Sequence, residues 1–211
     1  MEGVVRPSAF DRVLRPLHRW VWRDPHRRAR KLLRFAETEA DGGRDLARAA
    51  ELTADPLLRR LYLRHAEDES RHAALFRARG RSLLRSLPRV RAGFEANWLA
   101  PGERGLDDLR VTDERDQSLL AFLHLSEKAA AGRFALYREV LAHDPETQDV
   151  FADVLRDEAF HMSYTQAQLA RIAKERSPAQ LWRGRLGRLW KAYLRAAAAL
   201  ASVLGLSLIH I

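Results

Sequence analysis

The chain has 211 residues, 46% of them hydrophobic and 31% charged, which suits one folded domain with a sizeable core. It has no cysteine. A disulfide, a cysteine-based zinc site and an iron–sulfur centre are therefore excluded, and any metal must be held by carboxylate and imidazole, a ligand set that suits iron or manganese. The formal net charge is +9, but the basic residues crowd towards the two ends of the chain, interleaved with Trp20, Trp22, Trp182 and Trp190. That pattern fits an anionic membrane surface at least as well as nucleic acid, for which no recognition motif is present.

Residues 8 to 24 read as a short basic amphipathic helix, with Phe10, Val13, Leu14, Leu17, Val21 and Trp22 on or near one side. Pro25 interrupts it. Residues 1 to 30 are rich in arginine and lack a continuous apolar core, so they do not read as a secretory signal. A helix is predicted from about Arg28 to Thr53. Asp55-Pro56 marks a turn and a fresh helix start, and the second helix runs to about Leu87, where Pro88 stops it. Residues 88 to 112 carry Pro, Gly and Asn and read as a long crossover. A third helix is predicted from Asp113 to Ala142, then a turn at Asp144-Pro145, then a fourth helix to about Glu175. Ser177-Pro178 restarts a basic helix that runs into an apolar tail.

No segment shows the strict alternation of a half-buried strand, so the expected fold class is all-α, with two helical hairpins joined by the crossover. Residues 1–27 form a basic amphipathic N-terminal segment, residues 28–176 the bundle, and residues 177–211 a basic helix leading into the tail.

The hairpin is repeated. Glu39, Asp55-Pro56 and Asp68-Glu69-Ser70-Arg71-His72 in the first copy answer to Glu127, Asp144-Pro145 and Asp157-Glu158-Ala159-Phe160-His161 in the second. All but the first glutamate keep one constant offset, and Glu39 to Glu127 is one residue shorter. Glu and His three apart lie one turn apart on one helix face, so both reach a single point inside a bundle. A glutamate on the partner helix closes the site from the other side. Two such hairpins packed face to face offer four carboxylates and two imidazoles, a set that holds two metal ions.

The neighbours on those faces are apolar. Leu32, Phe35 and Leu46 flank Glu39, Leu120, Leu123 and Phe134 flank Glu127, and Tyr62 and Phe151 precede Glu69 and Glu158 by two turns. A carboxylate in such a stripe needs a cation or a proton, because burying it unpaired costs several kcal/mol. The candidate metal ligands are Glu39, Glu69, His72, Glu127, Glu158 and His161. Glu37 competes with Glu39; Glu39 is preferred because its spacing to Glu69 nearly matches that from Glu127 to Glu158. Asp68 and Asp157 each precede a ligand histidine by one turn and are read as partners of the histidines' second N–H. His65, two turns before His72, reads as a core histidine rather than a ligand, and Arg71 faces Phe160 in the repeat with no symmetrical role.

The segment from Phe35 to Phe76 resembles the rubrerythrin-type branch of the ferritin-like superfamily. The residues that carry the resemblance are Glu39, Gly42, Leu46, Asp55-Pro56 and Asp68 to His72, and more loosely Glu127, Ala130, Phe134, Asp144-Pro145 and Asp157 to His161. It spans roughly residues 30 to 175. It implies a ferritin-like four-helix bundle with two iron ions, manganese being the other metal the ligands suit. The reduced site would react with dioxygen or peroxide, as a ferroxidase, peroxidase or oxygenase does, drawing on an electron donor that the sequence does not name. One departure is Leu46, where relatives often carry Tyr. Tyr62 is the aromatic placed to serve as a redox-active or catalytic residue instead.

From Ala196 the tail is apolar, but to Ile211 it is shorter than the roughly 20 residues a bilayer-spanning helix needs. It reads as the first part of a transmembrane helix with cytoplasmic arginines before it, although Leu206 to Ile211 also resembles translated adapter read-through. The expected location is cytoplasmic, against the cytoplasmic face of a membrane. A homodimer is compatible with this reading, and nucleic acid is not an expected partner. The rival expectation is a non-catalytic metal-binding or structural bundle recruited to the membrane.

Overall fold

The computed structural model describes residues 6–87 and 116–174, and every regular element among them is a helix. The expected crossover, the basic helix after Ser177 and the apolar tail lie outside the described residues. Two short helices come first, α1 (Ala9–Val13) and α2 (Arg15–Arg23). The single helix expected over 8 to 24 is thus in two pieces, parted at Leu14. Pro16 has no N–H to offer the Arg12 carbonyl, so the hydrogen-bond ladder breaks there.

The four long helices are α3 (Pro25–Leu52), α4 (Pro56–Ser86), α5 (Asp116–Val140) and α6 (Pro145–Lys174). Three of them begin at an Asp-Pro pair. The proline's fixed φ and missing N–H suit the first helical position, and the aspartate supplies the acceptor that the first turn lacks. Asp24 accepts from Arg27 N–H at 2.7 Å, Asp55 from Leu57 N–H at 2.8 Å, and Asp144 from Thr147 N–H at 3.2 Å. Asp24-Pro25 therefore opens α3, where the sequence reading saw only the end of a preceding helix and started the next one at Arg28.

The helices α3 and α4 pack as one hairpin and α5 and α6 as the other, and the hairpins meet chiefly through α4 and α6. The short α2 lies against α3 and α5, and α1 touches α5. Close approach of α3 to α4 depends on Gly43. A Cβ there would sit 3.2 Å from the Ala66 carbonyl oxygen and 3.3 Å from Cβ of Glu69.

The core has two apolar parts. One gathers Trp22, Phe35, Phe76, Phe134, Tyr137 and Phe151. The other gathers Leu46, Leu58, Tyr62, Leu120, Leu123 and Tyr164. In sequence, Glu39, Glu69 and Glu127 each fall between residues of the first part and residues of the second. Each large apolar side chain buried contributes roughly 1.5–3 kcal/mol. That surplus lets the bundle carry a band of ionisable groups in its middle. Among the described residues, no helix is long and apolar enough to cross a membrane.

Candidate metal centre

One glutamate comes from each long helix: Glu39 from α3, Glu69 from α4, Glu127 from α5 and Glu158 from α6. His65 and His72 come from α4 and His161 from α6. All three imidazoles are wholly buried, and so, or nearly so, are the four carboxylates. Their donor atoms fall into two groups. In one, Glu39, Glu69, His72 and Glu158 each offer an atom within 4.8 Å of the others; in the second, His65, Glu69, Glu127 and His161 do the same. Glu69 belongs to both. The six residues singled out in the sequence are therefore brought together, and His65 joins them.

The ring nitrogens of His72 and His161 are sorted by their partners. His72 Nε2 lies 3.0 Å from Asp157 Oδ2, and His161 Nε2 lies 3.2 Å from Asp68 Oδ2. An ionised carboxylate only accepts, so Nε2 carries the proton in both rings. The lone pair is then on Nδ1, which points at the glutamates: His72 Nδ1 is 3.8 Å from Glu39 Oε2, and His161 Nδ1 is 3.7 Å from Glu158 Oε2. Both Nδ1 atoms, with Oε2 of Glu158, are buried without a hydrogen-bond partner. Buried polar atoms are seldom left in that condition. An inward lone pair with its opposite N–H held by a carboxylate is how a histidine is presented to a metal ion.

The two aspartates act across the bundle rather than along it. Each meets the histidine of the opposite hairpin, a choice of partner that spacing along the chain does not specify. The two are joined outside by Arg71, whose Nη1 donates to Asp157 Oδ2 at 2.9 Å and whose Nη2 donates to Asp68 Oδ1. Sequence reasoning set Arg71 aside because the repeat does not duplicate it. One guanidinium spans both aspartates, so no duplicate is required. Asp157 is held below the usual carboxylate range: its burial works the other way and is outweighed by hydrogen bonds from Arg71 and His72.

The electrostatics of the inner groups follow from burial and crowding. Glu69 and Glu158 are pushed well above the usual range, first by burial and then by neighbouring carboxylates. Glu39 is pulled below it, because hydrogen bonding to Glu69 and His72 outweighs burial. For His72 burial is likewise outweighed, here by Glu39 and Asp157, and its pKa is raised. Burial lowers His161 to about 4 and His65 well below its ordinary value.

His65 is built differently from the other two. Its Nδ1 is 2.8 Å from the Tyr164 hydroxyl, and its Nε2 is 3.0 Å from Glu69 Oε1 and 3.6 Å from Glu127 Oε1. Its ring stacks on His161 with centroids 3.5 Å apart. The signal was present in the sequence: His65 precedes Glu69 by one turn and His72 by two, so it shares their stripe. Tyr62 is buried beside Tyr164 in the core, but its hydroxyl donates to Asp116 at 3.3 Å. The hydroxyl in contact with the metal-capable groups is that of Tyr164. Glu37 receives a hydrogen bond from Arg77 at 3.0 Å and belongs to neither group. Comparison with protein-family models, with curated proteins and with solved structures gave no match.

Proposed function

We propose that this chain is a ferritin-like di-metal protein, most simply a di-iron oxidoreductase that reacts with dioxygen or peroxide. The observation that carries the reading is the pair of four-residue groups sharing Glu69, each with an inward imidazole lone pair. Charge supports it as well. Four buried glutamates carry four negative charges when ionised, and two divalent cations balance them with the histidines neutral. Without cations the same groups must hold protons, which is the direction in which Glu69 and Glu158 are pushed. Glutamate and histidine ligands suit iron or manganese.

In this reading Glu39, Glu69, Glu127 and Glu158 supply charge and bridging, and His72 and His161 complete the set, with His65 as a further donor. Asp68, Asp157 and Arg71 hold the imidazoles in one tautomer and one orientation. The apolar side chains to either side restrict water. The bound metals would supply the redox chemistry, and the protein sets their coordination and access.

The test starts from elemental analysis of protein purified without added metal. About two ions per chain are expected. Anaerobic loading with Fe(II) and then mixing with oxygen should raise the near-ultraviolet absorbance. Iron that binds but stays ferrous in air would favour a storage or structural role. No binding at all, after anaerobic loading, would end the metal reading.

A further inference from the structure

The outer side of α1 and α2 is distinct from the metal-capable groups, none of which lies on these two helices. Residues 11, 18 and 22 turn inward: Asp11, His18 and Trp22 are all buried, and Trp22 packs against Tyr137 and Phe151. The opposite side of the same stretch is apolar and exposed. Phe10 is 49% exposed, Val13 76% and Trp20 57%, three of the most exposed large apolar side chains among the described residues. Three- and four-residue spacing through the half-buried Leu17 puts them on one stripe. The sequence reading had grouped Phe10 and Val13 with Trp22 on one side. The fold separates them, because the bundle takes Trp22 and leaves the other two.

The charges around this stripe have one sign. Arg6, Arg12, Arg19 and Arg23 are exposed beside it, and among the described residues no acid pairs with them. Arg15 pairs with Glu139, on the α5 side of the stretch. The acids within reach are otherwise engaged: Asp11 is buried and accepts from Ser8 Oγ at 2.6 Å, and Asp24 caps α3. The Arg27 guanidinium lies 3.7 Å from the centre of the Trp20 ring, which keeps a cation at the edge of the apolar stripe.

We infer that α1 and α2 dock flat on an anionic lipid surface, with Phe10, Val13 and Trp20 entering the headgroup–acyl boundary and Arg6, Arg12, Arg19 and Arg23 meeting lipid phosphates. A short helix with a bulky apolar stripe and an arginine border binds in the interface plane and does not span it. The bundle fixes the orientation: α2 lies against α3 and α5, so docking by the outer side of α2 turns those two helices towards the lipid.

The absence of cysteine makes the test clean. The full chain carrying Val13→Cys is labelled with an environment-sensitive fluorophore. A control carries the label through Glu51→Cys, an exposed position at the far end of α3. Each is mixed with phosphatidylcholine vesicles with and without phosphatidylglycerol. The expected result is a blue shift at position 13 only, only with phosphatidylglycerol, and reversed by salt. In vesicle flotation, Arg12→Gln, Arg19→Gln and Arg23→Gln should each lower binding about fivefold at low salt. Phe10→Ser/Val13→Ser/Trp20→Ser should abolish the contribution of this face. A chain that floats with vesicles while position 13 shows no shift docks through another segment and overturns the inference. Equal shifts at both labelled positions, or equal binding to both vesicle types, overturn it as well.

Discussion

His72 Nε2 and Asp157 Oδ2 lie 3.0 Å apart, joining α4 of one hairpin to α6 of the other. The pair is mirrored by His161 and Asp68 at 3.2 Å. The two hairpins are thus tied together by the same contacts that aim their histidines. Orientation of the donors and docking of the two halves are one event.

Removal of one aspartate should therefore weaken metal binding without removing a ligand. Asp157→Asn is expected to lower affinity by about 10–100-fold, the range typical of groups that orient a ligand histidine. Arg71→Ala should reproduce part of that loss through both aspartates at once. Competition titration against a chelator measures it. Wild-type affinity in both variants would mean that the histidines are held by packing alone.

The metal-free protein should lose stability as pH rises from about 6.5 to 8. Glu69 and Glu158 have raised pKa values, so the folded state keeps protons that the unfolded chain has already released. His72, also raised, acts in the same direction: the fold holds its proton to a higher pH than the unfolded chain does, and that contribution fades as pH rises through its folded value. In this window the folded state binds more protons, so the slope of stability against pH is negative. Above about 8 the half-buried Lys31, lowered by desolvation to about 8, opposes the trend, because it releases its proton in the fold first. Thermal melts across pH should show the fall, Glu158→Gln should flatten it, and two divalent ions should reverse it by replacing protons. A metal-free melt that is level over this range would contradict the assignment of protonated carboxylates.

Tyr164→Phe removes the hydroxyl that meets His65 Nδ1 at 2.8 Å. It should change the affinity of one of the two ions, the one nearer His65, Glu127 and His161, and leave the other unchanged. Tyr62→Phe breaks a hydrogen bond to Asp116 and should leave both affinities as they are. Stepwise isothermal titration of each variant separates the cases. A larger effect from Tyr62→Phe would restore Tyr62 as the aromatic that matters.

The two Asp-Pro caps of the hairpins should differ in worth. Asp55 caps α4 and pairs with Arg171 near the surface, where an ion pair adds little, so Asp55→Ala should cost about 1 kcal/mol. Asp144 caps α6 but is buried, 3.1 Å from Arg28 Nε and 2.7 Å from Arg79 Nη2. Asp144→Ala leaves the largely buried Arg28 guanidinium without its acid and Arg79 with only the exposed Glu146, and should cost about 3–5 kcal/mol. Denaturant unfolding of both variants gives the comparison. Equal losses would show that the arginines find water or another partner.

Much of this protein was legible in its sequence. The Asp-Pro pairs act locally, through one side-chain acceptor and one missing N–H, and so Asp55-Pro56 and Asp144-Pro145 could be read as helix starts directly. The repeat of Glu with Asp-Glu-x-x-His is set by helical periodicity, and that periodicity puts Glu69 with His72, and Glu158 with His161, on one face before any packing is known. Glu39 and Glu37 each lie one residue off the second hairpin's spacing, and it is the fold that separates them: Glu39 joins a metal-capable group and Glu37 meets Arg77.

What only the tertiary structure decided is everything that crosses between the hairpins. Asp68 reaches His161 and Asp157 reaches His72 because α4 and α6 face each other, a relation that no spacing along the chain contains. Arg71 matters because a single guanidinium can span two aspartates that the fold brings together. His65 lay on the right stripe, but its neighbours Tyr164, Glu127 and His161 come from the other hairpin. Likewise the sequence marks residues 8 to 24 as amphipathic, while the bundle chooses which side is covered. Trp22 is buried against Tyr137 and Phe151, and Phe10, Val13 and Trp20 are left outside. Local chemistry along a helix fixes which groups share a face, and only the packing of one face against another fixes what those groups meet.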